Sequence, residues 1–343
     1  MILRCLQRGS SLHKNNNYRR GIYMYIEFIV IFILSLVFVN LVKIYAPKIG
    51  LMDIPNGRSS HCSIVPRGAG IGFYLSVALI LPVFHFDLIF SYVWTALAIF
   101  LVFIIGVLDD HHDASPYAKF FVIILATVLL FFDNIVISDL GTFFGFDLSL
   151  GWLALPFTVL AVVGFTNALN LVDGLDGLAA TVSIIILGTF FTVGYQNDDL
   201  FMMLISGAFI SSLLAFLFFN WNPASIFMGD SGSLTLGFVI AMLAIKSLAY
   251  LPTVSILFIS AIPSLDTLVV MLRRKLNGRS MFSADRCHMH HILRHFFAEN
   301  TKKTVLFLGL LQAIYSVTGL QLDKNMDEGY LLVLFLLNIV MLY

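Results

Sequence analysis

Four polar side chains at three-residue intervals, Asn167, Asn170, Asp173 and Asp176, close an apolar segment that runs from Trp152 to Leu169. Amides and carboxylates are costly at membrane depth, and where they occur they mark a site. Each three-residue step along an α-helix drifts by about 60°, so Asn167, Asn170 and Asp173 share one face. Asp176 falls on the opposite side unless Gly174 ends the helix and bends the chain back. The plainer reading is a polar helix end leaving the bilayer.

Other stretches carry matching chemistry. Asp109-Asp110-His111-His112-Asp113 follows the apolar run Ile99–Leu108. Adjacent carboxylates repel, and one keeps its proton unless a cation intervenes. A hard ion such as Mg²⁺, bound by oxygens and retained waters, suits that pair; a solvated helix end is the alternative. His111 and His112 are read as facing water. Lys119 is either a phosphate contact or an interfacial side chain that snorkels. In Gly229-Asp230-Ser231-Gly232 the glycines let backbone approach a ligand, and a helix starting there directs free N–H groups toward an anion. Simple capping of that helix by Asp230 or Ser231 is the competing account.

The first loop, around Arg58, His61 and Pro66-Arg67-Gly68, offers cations to an anionic ligand or to lipid headgroups. A later basic stretch holds Arg273, Arg274, Lys275 and Arg279, then His288, His290 and His291. From Met289 the apolar residues Ile292, Leu293, Phe296 and Phe297 recur at helical spacing, which predicts an amphipathic helix in the interface. A zinc site with Cys287 is set aside, because the Cys and His lack regular ligand spacing. Asp266 reads as a supporting carboxylate. Carboxylates, amides, Arg and His in this mixture suit phosphoryl transfer between two anionic substrates, with a metal neutralising charge and Arg and His holding the leaving phosphate.

The elements that must position these residues are membrane helices. The chain is 59% hydrophobic and only 12% charged, where a soluble domain is nearer a quarter charged, and its mean hydropathy is +0.94. This excludes a soluble domain and predicts an all-α polytopic membrane protein. A span needs about 20 mostly apolar residues. Runs near 22–44, 69–85, 88–108, 117–133, 152–169, 178–195, 200–219, 232–250, 253–271, 303–321 and 328–343 give ten or eleven spans. Alternation then places every stretch named above on one face, in five loops. These loops and their flanks hold thirteen of the twenty Lys and Arg, so the positive-inside rule makes that face cytoplasmic. Residues 1–23 form a basic tail that conflicts with this parity, which points to a start codon placed too early, with Met24 the alternative. Residues 24–343 then form a single transmembrane domain. Three widely spaced cysteines indicate no disulfide framework.

With these motifs in place, the chain resembles the polyprenyl-phosphate N-acetylhexosamine-1-phosphate transferase superfamily (glycosyltransferase family 4) from about Leu51 to His291. The pattern His288-x-His290-His291 followed by Ile292-Leu293 resembles its WecA-like branch. The resemblance implies transfer of a sugar-1-phosphate, GlcNAc-1-phosphate first, from a UDP-sugar to undecaprenyl phosphate with release of UMP, starting a cell-surface polysaccharide such as O-antigen, capsule or teichoic acid. Another UDP-N-acetyl (deoxy)hexosamine or UDP-MurNAc-pentapeptide is the alternative donor. It further implies Mg²⁺ (Mn²⁺ as its substitute), no nucleic-acid partner, a homodimer as an open expectation, and an inner-membrane protein with its active-site cleft facing the cytoplasm. By position, Asp109 and Asp110 match the catalytic aspartate pair, Asp230 the metal-ligating aspartate and Asn170 an amide that shares the metal. Asp173 and Asp176 match carboxylates on the nucleotide side. Arg279, His288, His290 and His291 match the loop that engages pyrophosphate and sugar, with Asn167 and Lys119 as further substrate contacts. Two departures, Ser59-Ser60 after Arg58 and Ala69 within the glycine pair, leave the sugar open. A carboxylate-based cation transporter is the rival from another class, but it needs polar groups threading the bilayer from both faces.

Overall fold

The computed structural model describes residues 2–55, 64–278, 280 and 288–342, with side chains from residue 24 to 338. Helix α1 spans Ile2–Ile49, so the basic tail continues into the first span without a break. A short ladder of β1 (Met52–Asp53) and β2 (Val65–Pro66) follows, then α2 (Ala69–Phe84), α3 (Phe86–Ser91), α4 (Val93–His112) and α5 (Pro116–Phe132). Beyond the hairpin of β3 (Asp139–Phe143) and β4 (Phe146–Ser149) come α6 (Ala154–Val172), α7 (Leu178–Gln196), α8 (Leu200–Asn220) and α9 (Asp230–Ser247). The chain closes with α10 (Thr253–Ile259), α11 (Ala261–Leu276), α12 (Met289–Phe296), α13 (Thr301–Gln321) and α14 (Glu328–Leu342).

Among the described residues seven helices are long and apolar enough to cross a membrane, and the bent pair α10–α11 makes an eighth. Three more, Ala69–Phe84, Pro116–Phe132 and Glu328–Asn338, are apolar but shorter. Each apolar run expected from the sequence is helical, with 88–108 divided between α3 and α4 and 253–271 between α10 and α11. At about 1.5 Å per residue the three short ones fall below a hydrocarbon thickness of about 30 Å.

Helix α9 is the axis of the molecule. All of its residues except Asp230 and Lys246 are buried, and α2, α4, α6 and α7 pack around it. In lipid such burial is driven by close packing rather than by escape from water. The first residue of this axis is Asp230, so the most buried of the spanning helices carries the carboxylate that the resemblance implies for metal binding.

The run 253–271, expected as one straight span, is instead two helices meeting at 90°. A broken helix inside a bilayer must satisfy its freed backbone groups within the protein. Gln312 on α13 does so: its Oε1 accepts from Ile262 N–H at 3.0 Å and its Nε2 donates to the Ile259 carbonyl at 2.7 Å. The face opposite the site has its own ties. Asp327 accepts from the Phe144 and Gly145 N–H groups, both at 2.9 Å, and Glu328 caps α10 through Thr253 and Val254 N–H at 2.6 and 2.9 Å. The β3–β4 hairpin lies in that face.

Candidate active site

Asp109 and Asp110 end the same helix but meet different surroundings. Asp110 is 2% exposed, and its two oxygens accept the backbone N–H groups of Asp230 at 2.8 Å and Ser231 at 3.0 Å. Helix α9 has no side-chain cap of its own, so Asp110 satisfies its orphan donors from across 120 residues of chain. Gly229 permits this approach. Its φ is 74°, and a Cβ there would lie 2.6 Å from both Asp110 oxygens. Asp109 instead faces Lys119, whose Nζ sits 3.2 Å from Asp109 Oδ1 and 2.9 Å from Asp230 Oδ2. Asn170 completes the group, with Nδ2 donating to Asp230 Oδ1 at 3.0 Å and to Ser233 Oγ at 2.8 Å. The aspartate pair expected to act together therefore divides, one member as an anchor and the other in a charge cluster.

Beside that cluster opens a cleft of about 340 Å³. Asp110, Asn170, Asp173, Asp176, Asp230 and His291 line it. Asn167 is not among the cleft's lining residues and its side chain makes no hydrogen bond among the described residues, so of the three residues expected on that face only Asn170 and Asp173 line the cleft. Asp176 Oδ2 accepts from Asn222 Nδ2 at 2.8 Å and from Ala224 N–H at 3.0 Å, which ties the turn after α6 to the loop after α8. Helix α6 ends at Val172, ahead of Gly174. The left-handed residue of the turn is Gly177, with φ 77°, which precedes α7. Gly174 has another reason to be glycine: a Cβ there would lie 2.6 Å from His290 Nε2.

The histidines split in the same manner. Asp266 Oδ2 pairs with His288 Nδ1 at 2.8 Å, and its Oδ1 accepts from Met289 N–H at 2.6 Å, so the supporting carboxylate both orients His288 and caps α12. His290 is buried, its ring 4.3 Å from that of His291. Burial holds its imidazole down to about 3, against the opposing pull of Asp266. It is neutral packing for the Gly174 turn, and His291 is the ring presented to the cleft. Ile292 and Phe296 lie 54% and 77% exposed on α12, as an interfacial helix requires. Arg279 lies outside the described residues.

Asp173 is half-buried and forms no side-chain hydrogen bond among the described residues. Its carboxyl is pushed well above the ordinary carboxylate range, first by burial and then by the charges of Asp230, Asp110 and Asp176. A carboxyl raised on folding holds its proton more tightly in the folded chain. Stability is therefore lost as pH climbs from the ordinary carboxylate range through the raised value. Asp173→Asn removes that loss. Its apparent Tm in detergent is expected to exceed the parent's by a margin that widens with pH, at about 2–4 °C per kcal/mol, while activity falls. A variant no more stable than the parent at roughly pH 8 would overturn this reading of Asp173.

A divalent cation fits this donor set in one particular way. Among the described residues no group of three or more His, Cys, Asp or Glu side chains is placed to cage a metal. Mg²⁺, however, commonly binds through one or two carboxylates, waters and substrate phosphates. Asp230 with the Asn170 amide, beside the unbonded carboxylate of Asp173, provides such a half-site. Lys119 neutralises the cluster from its other side.

Buried carboxylates at the head of a central membrane helix, opening to a polar cleft on one face, define a membrane-embedded transferase. Residues 92–248 match the profile of glycosyl transferase family 4. The chain is 33% identical over 329 residues to the probable undecaprenyl-phosphate N-acetylglucosaminyl 1-phosphate transferase of Bacillus subtilis (strain 168), covering 94% of this chain and 91% of that protein. It is 32% and 29% identical to the undecaprenyl-phosphate alpha-N-acetylglucosaminyl 1-phosphate transferases of Yersinia pestis and Escherichia coli (strain K12), over 91% of this chain and 88% of each relative. The chain belongs to glycosyl transferase family 4.

The structure adds cleft residues that the motifs did not select, among them Asp53, Arg67 and Phe227. The signal for Arg67 was present as a cation beside a Pro-Gly turn, but a basic loop near a membrane fits lipid headgroups equally well.

Proposed function

We infer that this protein transfers N-acetylglucosamine-1-phosphate from UDP-GlcNAc to undecaprenyl phosphate and releases UMP. The observation that carries this reading is the meeting of Asp109, Lys119, Asn170 and Asp230 at the head of α9, beside a cleft on one membrane face. An oxygen of the lipid phosphate attacks the β-phosphorus of the donor, forming a new P–O bond. The bond from that phosphorus to the oxygen bridging to the α-phosphate breaks, and UMP departs with that oxygen. One pyrophosphate link replaces another, so the reaction runs near equilibrium.

Each residue has a task that its position supports. Asp230 and Asn170 would hold Mg²⁺, which would supply charge neutralisation at the donor pyrophosphate. Asp109, the member of the aspartate pair that does not bind the α9 backbone, receives or steers the proton of the lipid phosphate, while Asp110 fixes the start of α9. Lys119 restrains both Asp109 and Asp230. Asp173 and Asp176 face the nucleotide, and His291 faces the phosphate-and-sugar region of the cleft. The basic loops assign this face to the cytoplasm, in the plasma membrane of the cell.

Membranes containing the protein are expected to exchange labelled UMP into UDP-GlcNAc only when undecaprenyl phosphate is present, and to form a pyrophosphate-linked lipid. A panel with UDP-GalNAc and UDP-deoxy-amino sugars sets the sugar. Absence of lipid-linked product with every donor would overturn the assignment.

A further inference from the structure

The cleft contains one guanidinium that the mechanism above does not use. Arg67 lines it, on a segment fixed by backbone hydrogen bonds to the residues that lead into Asp230. Phe227 N–H donates to the Pro66 carbonyl at 2.8 Å, Ala69 N–H to the Phe227 carbonyl at 3.1 Å, and Gly70 N–H to the Met228 carbonyl at 2.9 Å. The Arg67 N–H itself donates to the Leu51 carbonyl at 3.0 Å. The backbone under Arg67 is therefore held to the same frame as the metal-type carboxylate.

The side chain is less well satisfied than its backbone. It is 25% exposed, and its Nε is buried without a hydrogen-bond acceptor among the described residues. Its Nη2 reaches Asp113 Oδ1 at 3.4 Å, on a carboxylate whose side chain is 89% exposed. A buried donor without an acceptor is costly, and a long ion pair to a solvated partner is weak. The planar guanidinium fork matches two oxygens of a phosphate. Among the described residues that line the cleft, the acidic walls leave a phosphate few cations to meet.

We propose that Arg67 binds a substrate phosphate in the cleft through Nε and Nη, and that Asp113 is its resting partner, displaced when the substrate enters. This rests on the transferase reading above. The ligand chemistry is a phosphate oxyanion, and two substrates carry one: the donor diphosphate and the lipid monophosphate. Separate titrations of each substrate distinguish them.

The test uses the full-length protein in detergent or native membranes, with Arg67→Ala, Arg67→Lys, Asp113→Asn and the Arg67→Ala/Asp113→Asn double variant. Arg67→Ala is expected to raise KM for one substrate by about 10- to 100-fold, the loss of a hydrogen bond to a charged group, with the other KM little changed. Arg67→Lys restores part of this, because a point charge cannot form the fork. Asp113→Asn lowers the same KM by up to about fivefold, as an exposed ion pair allows, and has no effect once Arg67 is alanine. A purely structural Arg67 would reduce kcat or yield, leave both KM values unchanged and show no coupling to Asp113; that outcome overturns the proposal. If Arg67→Ala fails to fold, unchanged KM values in Arg67→Lys and Asp113→Asn overturn it equally. An inactive parent protein would instead count against the transferase reading.

Discussion

Asp230→Asn is expected to lower kcat by about 10²- to 10³-fold, the effect of removing one preorganised charge from the reacting centre, in a protein that still folds. The substitution keeps the size of the side chain and its place at the head of α9. Its Oδ1 position can still accept from Asn170, which now sits 3.0 Å away. What disappears is the negative charge, which Lys119 balances at 2.9 Å and which Mg²⁺ requires. Initial rates of labelled lipid product across a Mg²⁺ titration check the result. Higher Mg²⁺ should recover part of the activity if the cation is held jointly with substrate phosphates. A variant with parental rates at every Mg²⁺ concentration would remove Asp230 from the metal half-site.

The second large effect separates two neighbours that look equivalent in the sequence. Asp110→Asn is expected to lower both thermal stability and activity, whereas Asp109→Asn lowers activity with little change in stability. Asp110 accepts two backbone N–H groups, from Asp230 and Ser231. An asparagine amide nitrogen turned toward either would oppose donor with donor. The buried N–H groups left unmatched cost about 1–3 kcal/mol, and the start of α9 shifts along with Asp230. Asp109 faces Lys119 at 3.2 Å, and Lys119 keeps its other partner Asp230 when Asp109 is neutralised. Thermal unfolding in detergent, paired with transfer assays, distinguishes the two variants. The reverse pattern, with Asp109→Asn unstable and Asp110→Asn only inactive, would exchange their roles.

Much of the site was legible before the fold. The family resemblance paired Asn170 with Asp230, and 3.0 Å separates their polar atoms. Asp266 was read as a supporting carboxylate, and it holds His288 and caps α12. Other readings needed correction. Gly174 was assigned the bend after α6, but the helix stops at Val172, the positive φ belongs to Gly177, and Gly174 makes room for His290. Asn167 sits on the expected helix yet is not among the residues that line the cleft.

The sequence by itself determined the membrane helices, the gathering of polar loops on one face and the class of chemistry. Those features depend on local runs of apolar residues and on which residue types stand between them. Only the tertiary structure decided which aspartate of the pair anchors α9, where the α10–α11 span breaks and is repaired by Gln312, and that Arg67 enters the cleft. Each of these depends on hydrogen bonds or packing between segments 50 to 161 residues apart. The direction of a side chain at a helix end is set by the neighbouring segment it meets, and no local pattern encodes that neighbour.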